Sequence, residues 1–260
     1  MALTTVRVVP PGNTAKKLRI LIISGAFYPK VDGSAIAVGI LVKALLNGGH
    51  SVTVLTRGYP GADKDMLIGG ASVIRVRQLG FSLLSRVLLV LNLAEMARRL
   101  SKAQPFDVIH AHGFSALAAA EMVRFSKHTP CAVTFHGMQR LWAREARKLK
   151  HQVAFAFVRP IEGLIARRAN VVIAQSGLLG AVISSLYRVP PTKLVVVPNP
   201  VDISEFHFVR PEKRSSVVLF VGLLGGAYDV GLLLRAAKLV LNDVPEARFV
   251  IVGHGQRELS

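Results

Sequence analysis

The residue pattern predicts an α/β protein made of two doubly wound units, the first whole and the second only begun. Three observations predict it. Apolar runs of strand length alternate with amphipathic stretches of helix length between residues 18 and 197. The β-branched run 194–197 then stops at Pro198, and Pro200 prevents strand or helix from continuing. A new apolar run opens at Val217, with only one strand–helix–strand unit before Ser260. The expected organisation is a tail over 1–17, a first domain over 18–198, a linker over 199–214, and the start of a second domain over 215–260. A ligand cleft is expected between two such domains.

Each element has its own signal. The continuous apolar run 18–24 reads as a buried parallel strand. A loop containing Pro29 and Gly33 follows, then a helix over 35–47 with Ile36, Ile40, Leu41 and Leu45 on its stripe and Gly48-Gly49 at its end. Residues 51–56 and 71–76 read as the second and third strands, and 83–102 as a helix. Strands are expected at 107–111, 131–135, 171–174 and 194–197, with helices over 115–126 and 177–186 and a basic helical region before residue 171. Regular alternation implies a parallel sheet with right-handed crossovers. Beyond the linker, 217–222 and 248–252 read as strands flanking a helix over 230–240, and Gly253-His254-Gly255 as the turn after the last strand.

Composition bounds the function. The chain has 260 residues, 51% of them hydrophobic, which is ample for a buried core. Its single cysteine, Cys131, forms no internal disulfide and fits a small buried residue in a reducing, cytoplasmic interior. The N-terminal residues lack the apolar stretch of a secretory signal. The stretch 81–97 is interrupted by Arg86, Asn92 and Glu95 and falls short of the about 20 residues of a span, so it reads as a buried or interfacial helix. The formal charge of +18 concentrates between Arg140 and Arg168, where Arg144, Arg147 and Lys148 share one face of a helix. Such a face suits either anionic lipid headgroups, as a peripheral membrane surface, or solvent. No nucleic-acid-binding module accompanies the charge, so nucleic acid is not an expected partner.

Ligands of doubly wound sheets bind outside the carboxyl ends of the strands. Here those ends carry residues 25–34, His110 to Gly113, His136-Gly137, Gln175-Ser176 and Asn199. The Gly33-Ser34 turn before a helix offers backbone amides and a helix dipole to an anion, or is simply a tight turn. His136 at a strand end could reach into the cleft or bond a neighbouring loop. His110 and His112 have metal-like i, i+2 spacing but no third ligand at a fitting distance, so two satisfied strand-end histidines are the simpler reading and no metal is indicated. Gly222, closing the first strand of the second domain, would permit close backbone approach by a ligand.

The stretches Phe27-Tyr28-Pro29 through Gly33, residues 48–56, 107–112, 133–137, 172–176, and 193–202 with Phe206 occur in a telling order. With Phe220-Val221-Gly222 and Val250-Ile251-Val252-Gly253, they resemble the GT-B glycosyltransferases of family 4, also called group 1. The resemblance implies a complete N-terminal Rossmann-like domain that binds acceptor and the opening of a second that binds a nucleotide-sugar. It also implies retention of anomeric configuration, no cofactor and no protein-bound metal. It places the Gly33 loop, including Ser34, near the donor phosphate and sugar, and His136 beside the transferred sugar as the catalytic residue. Asn199 and Gly222 complete the implied substrate-binding set.

This chain departs from the family where donor charge is handled. The arginine and lysine that follow the Val-Gly strand end in the family are Leu223 and Tyr228 here, Asn199 precedes Pro200 in place of glycine, and the family's acidic donor-binding pair lies past residue 260 in relatives. A leaving diphosphate without an opposing cation loses transition-state stabilisation. The expectation is therefore a hexosyltransferase-like enzyme for a lipid-linked or saccharide acceptor, incomplete or inactive as these residues alone. The alternative is a non-catalytic acceptor-binding or membrane-docking subunit that needs a partner chain.

Overall fold

The computed structural model describes residues 16–30, 32–59, 65–77, 83–113, 129–137, 162–206, 216–222, 224 and 229–255. The chain divides into two compact units, Met1–Asp202 and Ile203–Ser260, and the division falls inside the 199–214 stretch. The expected helix over 115–126, the basic face of Arg144, Arg147 and Lys148, and Leu223 and Tyr228 lie outside the described residues.

The first unit is organised on strands β1 (Arg19–Ser24), β2 (Ser51–Arg57), β3 (Asp65–Ile68), β4 (Ala71–Val76), β5 (Val108–His112), β6 (Cys131–Phe135), β7 (Val171–Ala174) and β8 (Leu194–Val196). They form one eight-stranded sheet in the order β3-β4-β2-β1-β5-β6-β7-β8. The chain first builds outward from β1 through β2 to β4, then crosses to the other side of β1 for β5. The order reverses between β1 and β5, which is where such sheets open a crevice at their carboxyl ends.

The sheet is not parallel throughout, as alternation alone implied. β3 is an edge strand running antiparallel to β4, pairing Ile68 with Ala71. Gly69 and Gly70, with φ of 59° and 96°, make the two-residue connection. Both positions need the left-handed region, which favours glycine and sets the twist of a tight hairpin.

Helix α1 (Gly33–Asn47) starts two residues earlier than its periodicity suggested, because Asp32 caps it by accepting from the Ala35 amide at 2.9 Å. Its buried face is also rotated from the expected stripe. Ala35, Ala37, Val38 and Val42 are buried, whereas Ile36 is 51% exposed. The small and β-branched residues bring the helix axis close to the sheet, where Val38 and Val42 join Ile20, Ile22, Val52 and Val54 in one core cluster. Leu41 and Leu45 pack at the margin of that cluster.

A second cluster includes Leu21, Ile23, Ile109 and Val133 together with Leu93 and Ala97 of helix α2 (Leu83–Ala103). Alternate residues of β1 thus feed the two clusters, as a strand buried on both faces requires. The first half of α2 keeps Leu84, Val87, Leu88 and Leu91 exposed. Among the described residues no helix is long and apolar enough to cross a membrane. Helix α3 (residues 162–168) and helix α4 (Gly177–Tyr187) are tied by the Tyr187 hydroxyl, which donates to Glu162 at 2.6 Å.

The second unit has its own two-stranded parallel sheet, β9 (Val217–Val221) with β10 (Arg248–Val252), joined by helix α5 (Val230–Asp243). Residues 253–255 do not turn away after β10 but continue beside Gly222 and Leu224: the Gly222 amide donates to Val252 at 3.0 Å and the Leu224 amide to His254 at 2.9 Å. A Cβ on Gly253 would stand 1.8 Å from the Gly222 carbonyl oxygen, so this close approach is what requires glycine there. Val217, Leu219 and Val221 are exposed on this small sheet.

Candidate active site

Pleating sends residues i and i+2 of a strand to the same side. His110 and His112 of β5 therefore share a face, as do Thr134 and His136 at the end of β6. The register sets His112 opposite Thr134. The result is a row of polar side chains on the strand ends: His110 Nε2 bonds Thr134 Oγ1 at 2.8 Å, and His112 Nδ1 meets His136 Nε2 at 3.0 Å. The His110 and His112 rings lie 4.3 Å apart between centroids, and those of His112 and His136 5.3 Å.

Gln175, just past β7, completes the row. Its side-chain nitrogen donates one hydrogen to His136 Nδ1 and the other to Asn199 Oδ1. That pattern assigns the tautomers in turn. His136 Nδ1 accepts, so its proton is on Nε2; that Nε2–H donates to His112 Nδ1; and the His112 proton is then on Nε2. His112 Nε2 is buried and has no hydrogen-bond partner. The chain of donors that begins at Gln175 ends there.

Burial holds all three imidazoles neutral near pH 7. It pushes His110 down to about 4, with the nearby His136 adding a smaller push in the same direction. His112 is driven well below the usual histidine value by burial first, then by His110 and His136. Burial also lowers His136, opposed by the negative charge of Asp32. A cavity of about 240 Å³ opens beside the row, walled by Ala37, Ile40, Leu41 and Ala44 of α1, by Ile173, and by residues 197–200. Lys43 of α1 pairs with Asp202 at 2.7 Å, tying the helix to the chain beyond that wall.

The start of α1 is acidic. Asp32 accepts from Ser34 Oγ at 2.7 Å and pairs with Lys30 at 2.5 Å. Gly33 has open space around it: an added Cβ would meet nothing within 4 Å.

The structure thus joins His136 and Asn199 through Gln175 and places Gly33 and Ser34 at the α1 start, whose Asp32 charge reaches His136. Gly222 lies in the second unit, at the end of β9. Both ring nitrogens of His136 are engaged by neighbouring side chains. His110 and His112 were expected to be satisfied strand-end histidines. His110 is, whereas His112 keeps one bare nitrogen.

Sequence reasoning missed Asp32, whose signal was an acidic residue directly before a helical Gly-Ser-Ala start. It also missed the link through Gln175, which joins residues far apart in sequence. Among the described residues no group of three His, Cys, Asp or Glu is arranged to hold a metal. An Asp-x-Asp spacing occurs at 63–65, but it leads into β3, separated from β5 by β4, β2 and β1.

The sequence profile of Glycosyltransferase Family 4 matches residues 31–205. The chain belongs to glycosyltransferase family 4. Among curated family relatives, a phosphatidylinositol N-acetylglucosaminyltransferase subunit from Arabidopsis thaliana is 22% identical over 250 residues, covering 94% of this chain and 54% of the relative. An uncharacterized glycosyltransferase of Methanocaldococcus jannaschii is 22% identical over 258 residues, with 92% and 63% covered. This family 4 chain therefore spans between 54% and 63% of the length of these two relatives.

Solved structures agree on the fold. The catalytic domain of starch synthase IV from Arabidopsis thaliana, bound to ADP and acarbose, superposes with a TM-score of 0.65 at 14% identity, over 93% of this chain and 69% of that one. Sucrose-phosphate synthase from Thermosynechococcus elongatus gives 0.63 at 14% identity, over 91% and 70%. The fold is of the GT-B glycosyltransferase type, with the wide, mostly parallel sheet as its first unit.

Proposed function

We propose that this family 4 chain supplies the acceptor side of a retaining glycosyltransferase that moves a hexose from a nucleotide-sugar to a lipid-linked or saccharide acceptor. The family match over residues 31–205, which takes in the polar row at the ends of β5 to β8, carries the reading. In the reaction the acceptor oxygen bonds the anomeric carbon, the bond from that carbon to the diphosphate breaks, and the acceptor proton leaves with the diphosphate. The donor is a co-substrate, and the reading assigns the protein no cofactor or metal.

His136 is the residue beside the reacting sugar in this reading. To touch it, His136 must exchange one of its two hydrogen bonds. The Gln175 side is the cheaper to exchange, because Asn199 is exposed and Gln175 only half-buried while His112 is buried. Nδ1 would then accept from a sugar hydroxyl. Gly33 and Ser34 lie on the donor side, Asn199 positions Gln175, and Gly222 gives the donor a close backbone approach. Arg144, Arg147 and Lys148 face an anionic membrane surface on the cytoplasmic side.

The test incubates the chain, alone and in the complex recovered from its host, with UDP-, GDP- and ADP-sugars and with polyprenyl-linked and saccharide acceptors. A product of retained configuration supports the reading. No product from any pairing in either preparation overturns it. A second reading, a non-catalytic subunit, is favoured by Leu223 and Tyr228 standing where the family has cations. It requires a stable partner on co-purification, and a monomer active by itself would exclude it.

A further inference from the structure

We propose that helix α2 carries a surface that inserts into an anionic lipid membrane. Leu84, Val87, Leu88 and Leu91 enter the boundary of the acyl chains, and Arg98, Arg99 and Lys102 on the same side of the helix meet the headgroups. This goes beyond the transferase reading and does not rest on it. It also differs from docking through Arg144, Arg147 and Lys148, which would be electrostatic alone.

The first observation is that α2 is apolar on two sides. Leu93 and Ala97 are buried, with Leu89, Met96 and Leu100 packed beside them, so the core accounts for one side. A helix lying on a sheet is expected to turn polar groups outward. Instead Leu84 is 67% exposed, Val87 47%, Leu88 43% and Leu91 56%. Their spacings of three, four and seven residues from Leu84 place them in one stripe. Leu93 stands two and a half turns from Leu84 at about 3.6 residues per turn, so the stripe faces away from the core. Single exposed leucines are ordinary, whereas four adjoining ones mark a binding surface.

The second observation is charge on the same side. Beyond Leu91 the stripe continues through Glu95, Arg98 and Lys102 at steps of four, three and four residues, with Arg99 beside it. Glu95 accepts from Arg98 and from Arg99 at 2.8 Å, so three cations and one carboxylate leave an excess of positive charge here. The whole chain carries a formal charge of +18. From Leu84 to Lys102 the row runs about 27 Å along a straight helix, and a plane offering acyl chain and phosphate together can meet all of it. The Lys and Arg stems lie along apolar material while their heads stay with the headgroups.

The third observation separates lipid from protein. All four exposed apolar residues are Leu or Val, which are under-represented among the anchors of protein interfaces, where Trp, Tyr, Phe and Met are favoured. Aliphatic side chains held a few ångströms deep, with cations alongside, are what a membrane boundary selects. The helix lies on the surface and does not span it, since no described helix is long and apolar enough to cross a membrane.

The test uses the full chain with vesicles of phosphatidylcholine alone or mixed with phosphatidylglycerol. Co-sedimentation should show binding to the mixed vesicles, weakened by high salt, and at least about tenfold weaker binding to phosphatidylcholine alone. Leu88→Gln combined with Leu91→Gln should weaken binding to the mixed vesicles at least about tenfold. Both positions are exposed, and unchanged amide exchange in α2 and β5 shows that the fold is kept. An environment-sensitive dye on Leu88→Cys should shift to the blue on the mixed vesicles, while the same dye on Leu239→Cys, exposed on α5, should not. Cys131 is buried and is spared by the labelling. The dye carries the test even if the double variant fails to fold.

Failure of the chain to bind either vesicle would overturn the proposal. So would vesicle binding with an unmoved dye at position 88, which would assign docking to another face such as Arg144, Arg147 and Lys148. Equal binding to neutral and mixed vesicles would overturn the part given to Arg98, Arg99 and Lys102. A dimer that forms without lipid and is lost in the double variant would make the stripe a contact between copies, and would also overturn it.

Discussion

Replacing Asp32 by asparagine asks how the start of α1 is coupled to the histidine row. The carboxylate caps the helix through the Ala35 amide, accepts from Ser34 and pairs with Lys30. Burial alone would raise its pKa. Hydrogen bonds from Lys30, Ser34 and Ala35, with the charge of Lys30, outweigh that and bring it from 3.8 down to about 2. A carboxylate depressed in the fold stabilises it above the unfolded value, and that contribution is lost as pH falls from about 4 toward 2.

Lowering from 3.8 to about 2 corresponds to about 2 kcal/mol. The side chain is 33% exposed, so solvent screening reduces the net effect to roughly 1 kcal/mol. Asparagine keeps a capping oxygen. Asp32→Asn should therefore lower the local stability of α1 by about 1 kcal/mol at pH 7, and Asp32→Ala by about 1 kcal/mol more for the lost cap. Amide hydrogen exchange of α1 is the appropriate assay, because two units need not unfold together. Asp32 also raises the proton affinity of His136, so the asparagine variant should shift the His136 titration to lower pH. Unchanged α1 exchange at pH 7, or an unmoved His136 titration, would refute the reasoning.

Four further outcomes are expected. The imidazoles of His110, His112 and His136 have folded-state pKa values below their ordinary value of 6.5. The unfolded chain thus binds protons first, and the first unit should lose stability as pH drops from about 6.5 to about 4. His110 contributes at most about 3 kcal/mol of this, being only partly shielded; a flat urea-unfolding profile across that window would contradict it. Cys131 is buried and its thiol is pushed up to about 12, so it should resist thiol reagents at pH 8 until the protein is unfolded, and prompt labelling would count against the fold. Gly253→Ala should disrupt the second unit by about 3 kcal/mol, read as faster amide exchange in β9 and β10. Gly33→Ala should cost α1 nothing and add up to about 1 kcal/mol, so loss of sugar transfer at unchanged stability would assign Gly33 to the substrate.

Strand positions were legible because a strand buried on both faces must be apolar along its length, as in Ile20–Ile23, and because a β-branched run such as 194–197 suits an extended backbone even at the half-buried sheet edge. The glycines at 48 and 49 marked a helix end for a similarly local reason: one amide bonds the Ala44 carbonyl and Gly49 takes a φ of 78°. The edge strand β3 escaped notice, since its four residues carry little pattern and only the Gly69-Gly70 pair announced a hairpin. The α1 stripe was misjudged because periodicity weighs bulk, whereas close helix–sheet packing favoured Ala35, Val38 and Val42 over Ile36.

By itself, the order of residues determined the α/β class, most strand positions, the end of the last strand of the first sheet before Pro198 and the set of polar side chains at strand ends. These follow from chain-local chemistry: side-chain periodicity, glycine and proline geometry, and the cost of burying polar groups. Only the tertiary structure decided which of those side chains meet. Strand order places β5, β6 and β7 side by side, and register aligns His112 with Thr134 and brings His136 and Gln175 into the same row. The bare nitrogen of His112 results from that alignment. It arises from contacts between residues 24 to 39 positions apart, whose pairing no local pattern specifies.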